Sequence, residues 1–308
     1  MILYIGIPKR INFTQMSRFG DSCESRFRQN FRKGFDWVGY NSGFTSHMDG
    51  HRTALAIDPS FIDKSGKHTP GVGYFWSGCA SAARHGLEIL DIAVIDADGR
   101  DAVYLKAVQT VDTVKAGRPP RYLAGMKSPN SLMAWYLRAL AQDRDALRKA
   151  SDIVAADAFF SKKSFVNGVA GVVVVDCIEP GKKTQAWKVF FSTDTEMSAK
   201  DIMDFYRTRF QIEFLLRDGK QHTGLTHCQS RQKEALAFHL NMSLTAINVA
   251  RAFARQDKRE LSVANVKTLV HNAMMLHRFS VLSGKMPNRL LNTNDFKELL
   301  YYGIAYAA

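Results

Sequence analysis

Four side chains between positions 206 and 220 have types and spacings that could do chemistry. Tyr206, Arg209, Glu213 and Lys220 are separated by three, four and seven residues. On a helix turning about 100° per residue they fall at roughly 0°, −60°, −20° and −40°, a narrow stripe about 20 Å long, and Arg217 joins it near +20°. One carboxylate flanked by cations suits a site that holds a cation while Arg and Lys grip phosphate oxygens. The same spacing also describes a solvated face, in which Arg209 and Glu213 at i, i+4 would contribute only about 0.2–0.5 kcal/mol. Two more acids have suggestive positions: Asp58 directly follows Ala54-Leu55-Ala56-Ile57, and Asp157 directly follows Ile153-Val154-Ala155-Ala156. An acid at the end of a buried strand is costly unless it is paired or binds metal, and strand ends are where α/β sheets build their sites. Either acid could instead cap its strand into a turn, Asp58 all the more because Pro59 follows. Asp63, Asp152 and Asp176 are carboxylates of equal availability elsewhere.

The elements that must position these groups read as an α/β pattern. Residues 12–35 carry Arg18, Arg26, Arg28, Arg32 and Lys33 among aromatics, a basic helical lobe with loops. Short apolar runs at 53–57, 71–75 and 87–95 predict three strands in a meander, closed by the turn signal Asp96-Ala97-Asp98-Gly99. Gly and Pro make 115–129 a connecting loop, and Leu132, Trp135, Leu137, Leu140 and Leu147 predict one amphipathic helix over 131–150. Strands are expected at 152–156, 171–176 and 185–191, with a short helix near 164–167. Ser198, with Asp201 three residues on, is an N-cap signal for a long helix running to about Gly219. Beyond Gln232 the pattern is helical to Tyr302, and 235–250 reads as a buried helix too polar and too short for a membrane span. No repeat or low-complexity segment interrupts the chain.

Composition narrows the partners. The chain has 308 residues, 46% hydrophobic, with 42 Lys and Arg against 29 Asp and Glu, for a net charge of +13. That is too long for a disulfide-stapled miniprotein and too apolar for a disordered tail, and a protein this basic meets a polyanion: DNA, RNA or an anionic membrane. Cys23, Cys79, Cys177 and Cys228 form no C-x-x-C pair, which argues against a zinc ribbon and fits a reducing cytosol. The apolar start, Met1 to Ile7, has no basic leader or cleavage signal and is read as no signal peptide. A zinc reading of His222, His227 and Cys228 lacks a second pair of suitable spacing.

Together these pieces resemble the DDE transposases of the bacterial insertion-sequence-four group. The hallmark of that family is Tyr, two residues, Arg, three residues, Glu, six residues, Lys, and Tyr206, Arg209, Glu213 and Lys220 match it at every required position. The segment Ala56-Ile57-Asp58-Pro59-Ser60-Phe61-Ile62 is similar to its first catalytic region, and Ala156-Asp157-Ala158-Phe159-Phe160-Ser161-Lys162-Lys163 to its second. The resemblance covers about Ile11 to Ala254. It implies an RNase H-like fold, a mixed sheet flanked by helices with helical N-terminal and C-terminal additions. In chain order it implies a basic helical lobe at 1–50, a catalytic domain at 51–232 and a helical region at 233–308.

The resemblance also implies a site. Asp58 would bridge two divalent ions, Mg²⁺ or Mn²⁺, with Asp157 and Glu213 each helping to hold one. Two such ions about 3.5–4 Å apart activate an attacking oxygen and relieve charge on a phosphodiester. Tyr206, Arg209 and Lys220 would contact phosphates of the element's end, and helix geometry adds Arg217. The implied partners are double-stranded DNA, both transposon ends and target, and a second copy of the chain when DNA is bound. The implied location is cytoplasmic, at the bacterial nucleoid, with no membrane partner. Two departures accompany the match. Only 158–212 separates the second Asp from the Glu, where relatives carry a sizeable β-rich insertion, and Met1 stands where relatives are already inside their N-terminal helical region. A shortened chain is therefore expected, and three activities follow as alternatives: strand cleavage and transfer, a non-catalytic DNA-binding relic or inhibitor of transposition, and a hydrolysis-only nuclease.

Overall fold

The structure is a computed structural model that describes residues 1–110, 132–169, 172–178, 188–257, 261–284 and 293–304. The helices before the first strand are α1 (Ile2–Gly6), α2 (Phe13–Phe19), α3 (Glu24–Asn30) and α4 (Trp37–Ser42). Strands β1 (Thr53–Asp63), β2 (Gly73–Ser77), β3 (Ala82–Asp96) and β4 (Asp101–Gln109) follow, then α5 (Leu132–Gln142), α6 (Arg144–Ala150), β5 (Ile153–Ala156), α7 (Lys163–Val166), β6 (Val172–Ile178) and β7 (Lys188–Ser192). The rest is helical: α8 (Ala199–Arg209), α9 (Gln211–His222), α10 (Lys233–Gln256), α11 (Val263–Leu282) and α12 (Asn294–Leu300). The chain divides into two compact units. One comprises residues 34–215 and 230–237 and holds the sheet, and the other comprises 1–33, 216–229 and 238–308.

In the first unit the sheet is mixed. β1 pairs antiparallel with β3 and parallel with β5, β5 pairs parallel with β6, and β6 antiparallel with β7. β3 also pairs with β4 and β2. Gly86 faces both Asp63 of β1 and Gly73 of β2, so β2 lies on the β3 edge away from β1. Alternation along the strands sends Leu55, Ile57, Leu90, Ile92, Val94, Val103, Leu105, Val154 and Ala156 into one core with Val38 of α4, Leu132, Met133, Tyr136 and Ala139 of α5, and Leu147 of α6. The opposite face has small buried residues, Ala54, Ala56, Ala93 and Ala155, which let α8 pack against β1, β3 and β5. Helices on both sheet faces make this an α/β unit, consistent with the RNase H-like expectation.

The second unit is helical among its described residues. Its core ties the N-terminus to later helices. His239 Nε2–H donates to the Gly224 carbonyl at 2.9 Å, which leaves Nδ1 to accept the Tyr4 hydroxyl at 2.7 Å. Gly224 has φ +70°, and a Cβ there would stand 2.5 Å from His227 Nδ1, so the turn after α9 requires glycine. The apolar start of the chain is thus a packed helix, with Tyr4 and Ile5 buried.

Several local expectations need correction. β1 does not stop at Ile57; it continues through Asp58 and Pro59 to Asp63, because β3 supplies a partner along its whole length. The segment after the Asp96–Gly99 turn is a fourth strand, β4, completing a hairpin. The helix expected over 131–150 is two helices broken at Asp143, and the long helix from Ser198 breaks at Phe210 into α8 and α9. The angular arithmetic therefore holds within α8 and within α9 and does not extend across the break. The loop expected at 115–129 lies outside the described residues. Among the described residues no helix is long and apolar enough to cross a membrane.

Candidate active site

Register brings the first two acids together. β1 and β5 align Leu55 with Val154 and Ala56 with Ala155, so two residues further on Asp58 and Asp157 stand level on neighbouring strands and share a face. Asp58 lies within β1, while Asp157 follows the last residue of β5. There Asp157 N-caps a single 3₁₀ turn, its Oδ1 accepting the Phe159 N–H at 3.1 Å. The third acid arrives from helix. Ser198 caps α8, accepting the Asp201 N–H at 3.1 Å and donating its hydroxyl to Asp201 Oδ2 at 2.7 Å. Arg52, just ahead of β1, bonds Asp98 and reaches Asp201 and Asp204 of α8, which fastens the start of that helix to the end of the sheet where β1 begins. At the far end of α8, Arg209 Nη1 is 3.5 Å from Asp58 Oδ1, and its Nη2 is 3.8 Å from Glu213 Oε1 in the first turn of α9.

The electrostatics show the same convergence. Burial pushes the Asp58 carboxyl up to about 6; Arg209 and the Ser60 hydroxyl, which donates to Oδ2 at 3.0 Å, oppose this, while the charges of Asp157 and Glu213 add to it. Glu213 is likewise raised by burial and by Asp157, against the pull of Arg209. Arg209 is only 8% exposed, and its Nε and Nη1 make no hydrogen bond of ordinary geometry. A buried guanidinium thus stands between Asp58 and Glu213, supplying positive charge to two acids that Asp157 also repels. Tyr206, one turn earlier, keeps the spacing read from sequence: its ring lies 5.8 Å from the Arg209 guanidinium carbon and 4.5 Å from the Phe190 ring.

Tyr206, Arg209 and Glu213 belong to the sheet unit with Asp58 and Asp157, whereas Arg217 and Lys220 belong to the helical unit. Both are exposed, and Arg217 pairs with its neighbour Asp218 at 3.3 Å. The other carboxylates weighed from sequence go elsewhere: Asp63 is exposed at the end of β1, and Asp152 pairs with Arg148 at 2.8 Å. The Asp176 side chain lies outside the described residues. His227 is engaged by backbone, accepting the Ile11 N–H at 3.0 Å. Among the described residues no group of three or more His, Cys, Asp or Glu is spaced to hold a metal ion.

Sequence reasoning passed over Asp91. It is 1% exposed and directly opposite Asp58 in the β1–β3 pairing, so Asp91, Asp58 and Asp157 form a row across three adjacent strands. An acid at the centre of the apolar run 87–95, beside Glu88 near its start, was the available signal. The Arg52 network was passed over because its partners are 46 to 152 residues away in sequence.

The acids, the buried arginine and the tyrosine one turn before it now stand in one unit. Comparison with curated proteins finds no match to the chain. Residues 129–249 match the family model described as transposase DDE domain. That stretch contains Asp157, Tyr206, Arg209, Glu213, Arg217 and Lys220, and Asp58 precedes it. Through these 121 residues the chain is similar to a transposase DDE domain.

Proposed function

We propose that this protein cleaves and joins DNA strands as a DDE transposase of the insertion-sequence-four type, with Asp58, Asp157 and Glu213 as its catalytic acids. The observation that carries this reading is the clustering of three carboxylates from two parallel strands and a following helix, with Arg209 beside Asp58 and Glu213 and with Asp157 close enough to both acids to raise their pKa values. The donor set suits hard divalent cations, being all carboxylate oxygen without thiolate or imidazole. The clustering leaves the acids with an excess of negative charge, which is chemistry that Mg²⁺ or Mn²⁺ would neutralise. Asp58, Asp157 and Glu213 would together hold the ions. Ions bound there supply an activated oxygen nucleophile and relief of charge at the scissile phosphate.

The other groups act on DNA phosphates. Tyr206, Lys220 and Arg217 would each donate to phosphate oxygens of the transposon end, fixing register rather than reading bases. Arg209 is enclosed among the acids, so in this reading it meets the phosphate at the reacting centre rather than on the outer surface. A second copy of the chain would be needed to pair two ends, and the working location is the cytoplasm. The shortened segment between Asp157 and Glu213 favours one alternative, a DNA-binding relic that no longer completes transposition.

Incubating the protein with duplex DNA bearing the element's own ends, in Mg²⁺ or Mn²⁺, tests the assignment. Wild type should nick at the ends, and Asp58→Asn, Asp157→Asn and Glu213→Gln should each reduce nicking by at least 100-fold, roughly the scale of losing one electrostatic catalytic group. Nicking that survives all three substitutions overturns the site. Binding without nicking by wild type supports the relic.

A further inference from the structure

The positive charge is unevenly shared. The helical unit has 18 Lys and Arg against 7 Asp and Glu, a net +11, and the sheet unit has 24 against 22, a net +2. Within the helical unit one stretch of backbone is held in place by otherwise unexplained groups. Lys267 of α11 is partly buried, and its Nζ donates to the carbonyls of Ile7 at 2.7 Å, His222 at 2.8 Å and Ile5 at 3.3 Å. The last turn of α9, which contains Lys220, is therefore tied to the chain just ahead of Pro8. On the other side of the same loop, the Ile11 N–H donates to His227 Nδ1. Residues 8–10 are thus pinned at both ends beside the C-terminus of α9. Lys9 and Arg10 are exposed and make no ion pair among the described residues.

We propose that Lys9 and Arg10, together with Lys220, form a cationic ledge that binds the phosphate backbone of duplex DNA, with Lys267 and His227 as the residues that position it. The proposal rests on the transposase reading and extends it to a contact surface outside the three acids. Carbonyls at a helix C-terminus favour nearby cations, and a backbone fixed at Ile7 and Ile11 presents two of them with little loss of freedom on binding. Phosphate contact of this kind is independent of sequence and sensitive to salt.

Binding of a short labelled duplex of arbitrary sequence, followed by fluorescence anisotropy in EDTA from about 50 to 300 mM NaCl, reads the ledge directly. For Lys9→Gln/Arg10→Gln the slope of log K against log salt should become shallower by about 1–2 relative to wild type. Arg144→Gln/Lys149→Gln, on the sheet unit, should leave the slope unchanged. Lys267→Met should reproduce part of the loss with Lys9 and Arg10 intact. If the ledge variant keeps the wild-type slope, or if the sheet-unit pair changes it equally, the ledge is wrong while the transposase reading stands. If wild type fails to bind duplex DNA at all, both fail.

Discussion

Arg209 is the residue on which the candidate site turns. A guanidinium 3.5 Å from one carboxylate and 3.8 Å from another, almost fully enclosed, offsets repulsion that would otherwise act at short range in poor solvent. Arg209→Met should therefore lower stability by about 1–3 kcal/mol in metal-free buffer, which for a unit of this size is roughly 2–12 °C in melting temperature. Adding Asp58→Asn to that variant should recover part of the loss, since it removes one of the uncompensated charges. Scanning fluorimetry of wild type, both single variants and the double variant checks this, and additive losses would show that Arg209 does not act through Asp58. Residue type and local spacing left Asp157 and Glu213 open to a turn-cap and a solvated-face reading, and it was the resemblance that singled them out. Asp58 was picked out as a strand-end acid, whereas it lies inside a strand that continues past a proline. Asp91 escaped notice because its importance comes from β-register, a relation between residues 33 positions apart.

At the scale of elements, the β3–β4 hairpin shows what a turn signal specifies and what it leaves open. Asp96 is buried and its Oδ1 accepts the N–H groups of Asp98 at 2.9 Å and Gly99 at 2.8 Å, which is the physical content of the Asp-Ala-Asp-Gly signal. Its Oδ2 meets His51 Nδ1 at 2.7 Å, and that contact raises the histidine pKa, the hydrogen bond to Asp96 being the largest cause. A group whose folded pKa is raised contributes stability that is complete below its unfolded value of 6.5 and is lost as pH rises through the folded value. Wild type should therefore melt higher than His51→Gln at pH 5.5, with the difference shrinking by pH 8.5; an equal difference at both would remove the ion-pair explanation. The turn was legible and the strand after it was not, although residues 101–109 are largely apolar. The same limit applies to α8 and α9. Hydrophobic and charge periodicity continue through Phe210, and the interruption is a matter of backbone hydrogen bonding, with the Phe210 N–H bonding Arg207 and the Glu213 N–H bonding Phe210.

For the whole molecule, the total charge was readable from composition, but its distribution was not, because the helical unit is assembled from three separated stretches of chain. A linear division places the basic lobe at the N-terminus. In the structure only residues 1–33 of the expected 1–50 lobe group with 216–229 and 238–308, and together these hold nearly all of the excess charge, while 34–50 join the sheet unit. Like charges at this density repel over a Debye length of about 30 Å at 0.01 M salt and about 10 Å at 0.1 M, so the helical unit is under electrostatic strain that salt relieves. The sheet unit, nearly neutral, lacks that strain. Hydrogen exchange can therefore tell the two apart within one molecule. Raising NaCl from about 10 to 200 mM should slow exchange at Leu240, Leu244 and Leu269, buried in the helical unit, by a few-fold, on the order of 1 kcal/mol in opening free energy. Exchange at Ile92 and Val94 of β3 should change little over the same range. Equal slowing in both units would mean that salt acts through general exclusion rather than charge, and would leave the unequal distribution of cations without an energetic consequence in the free protein.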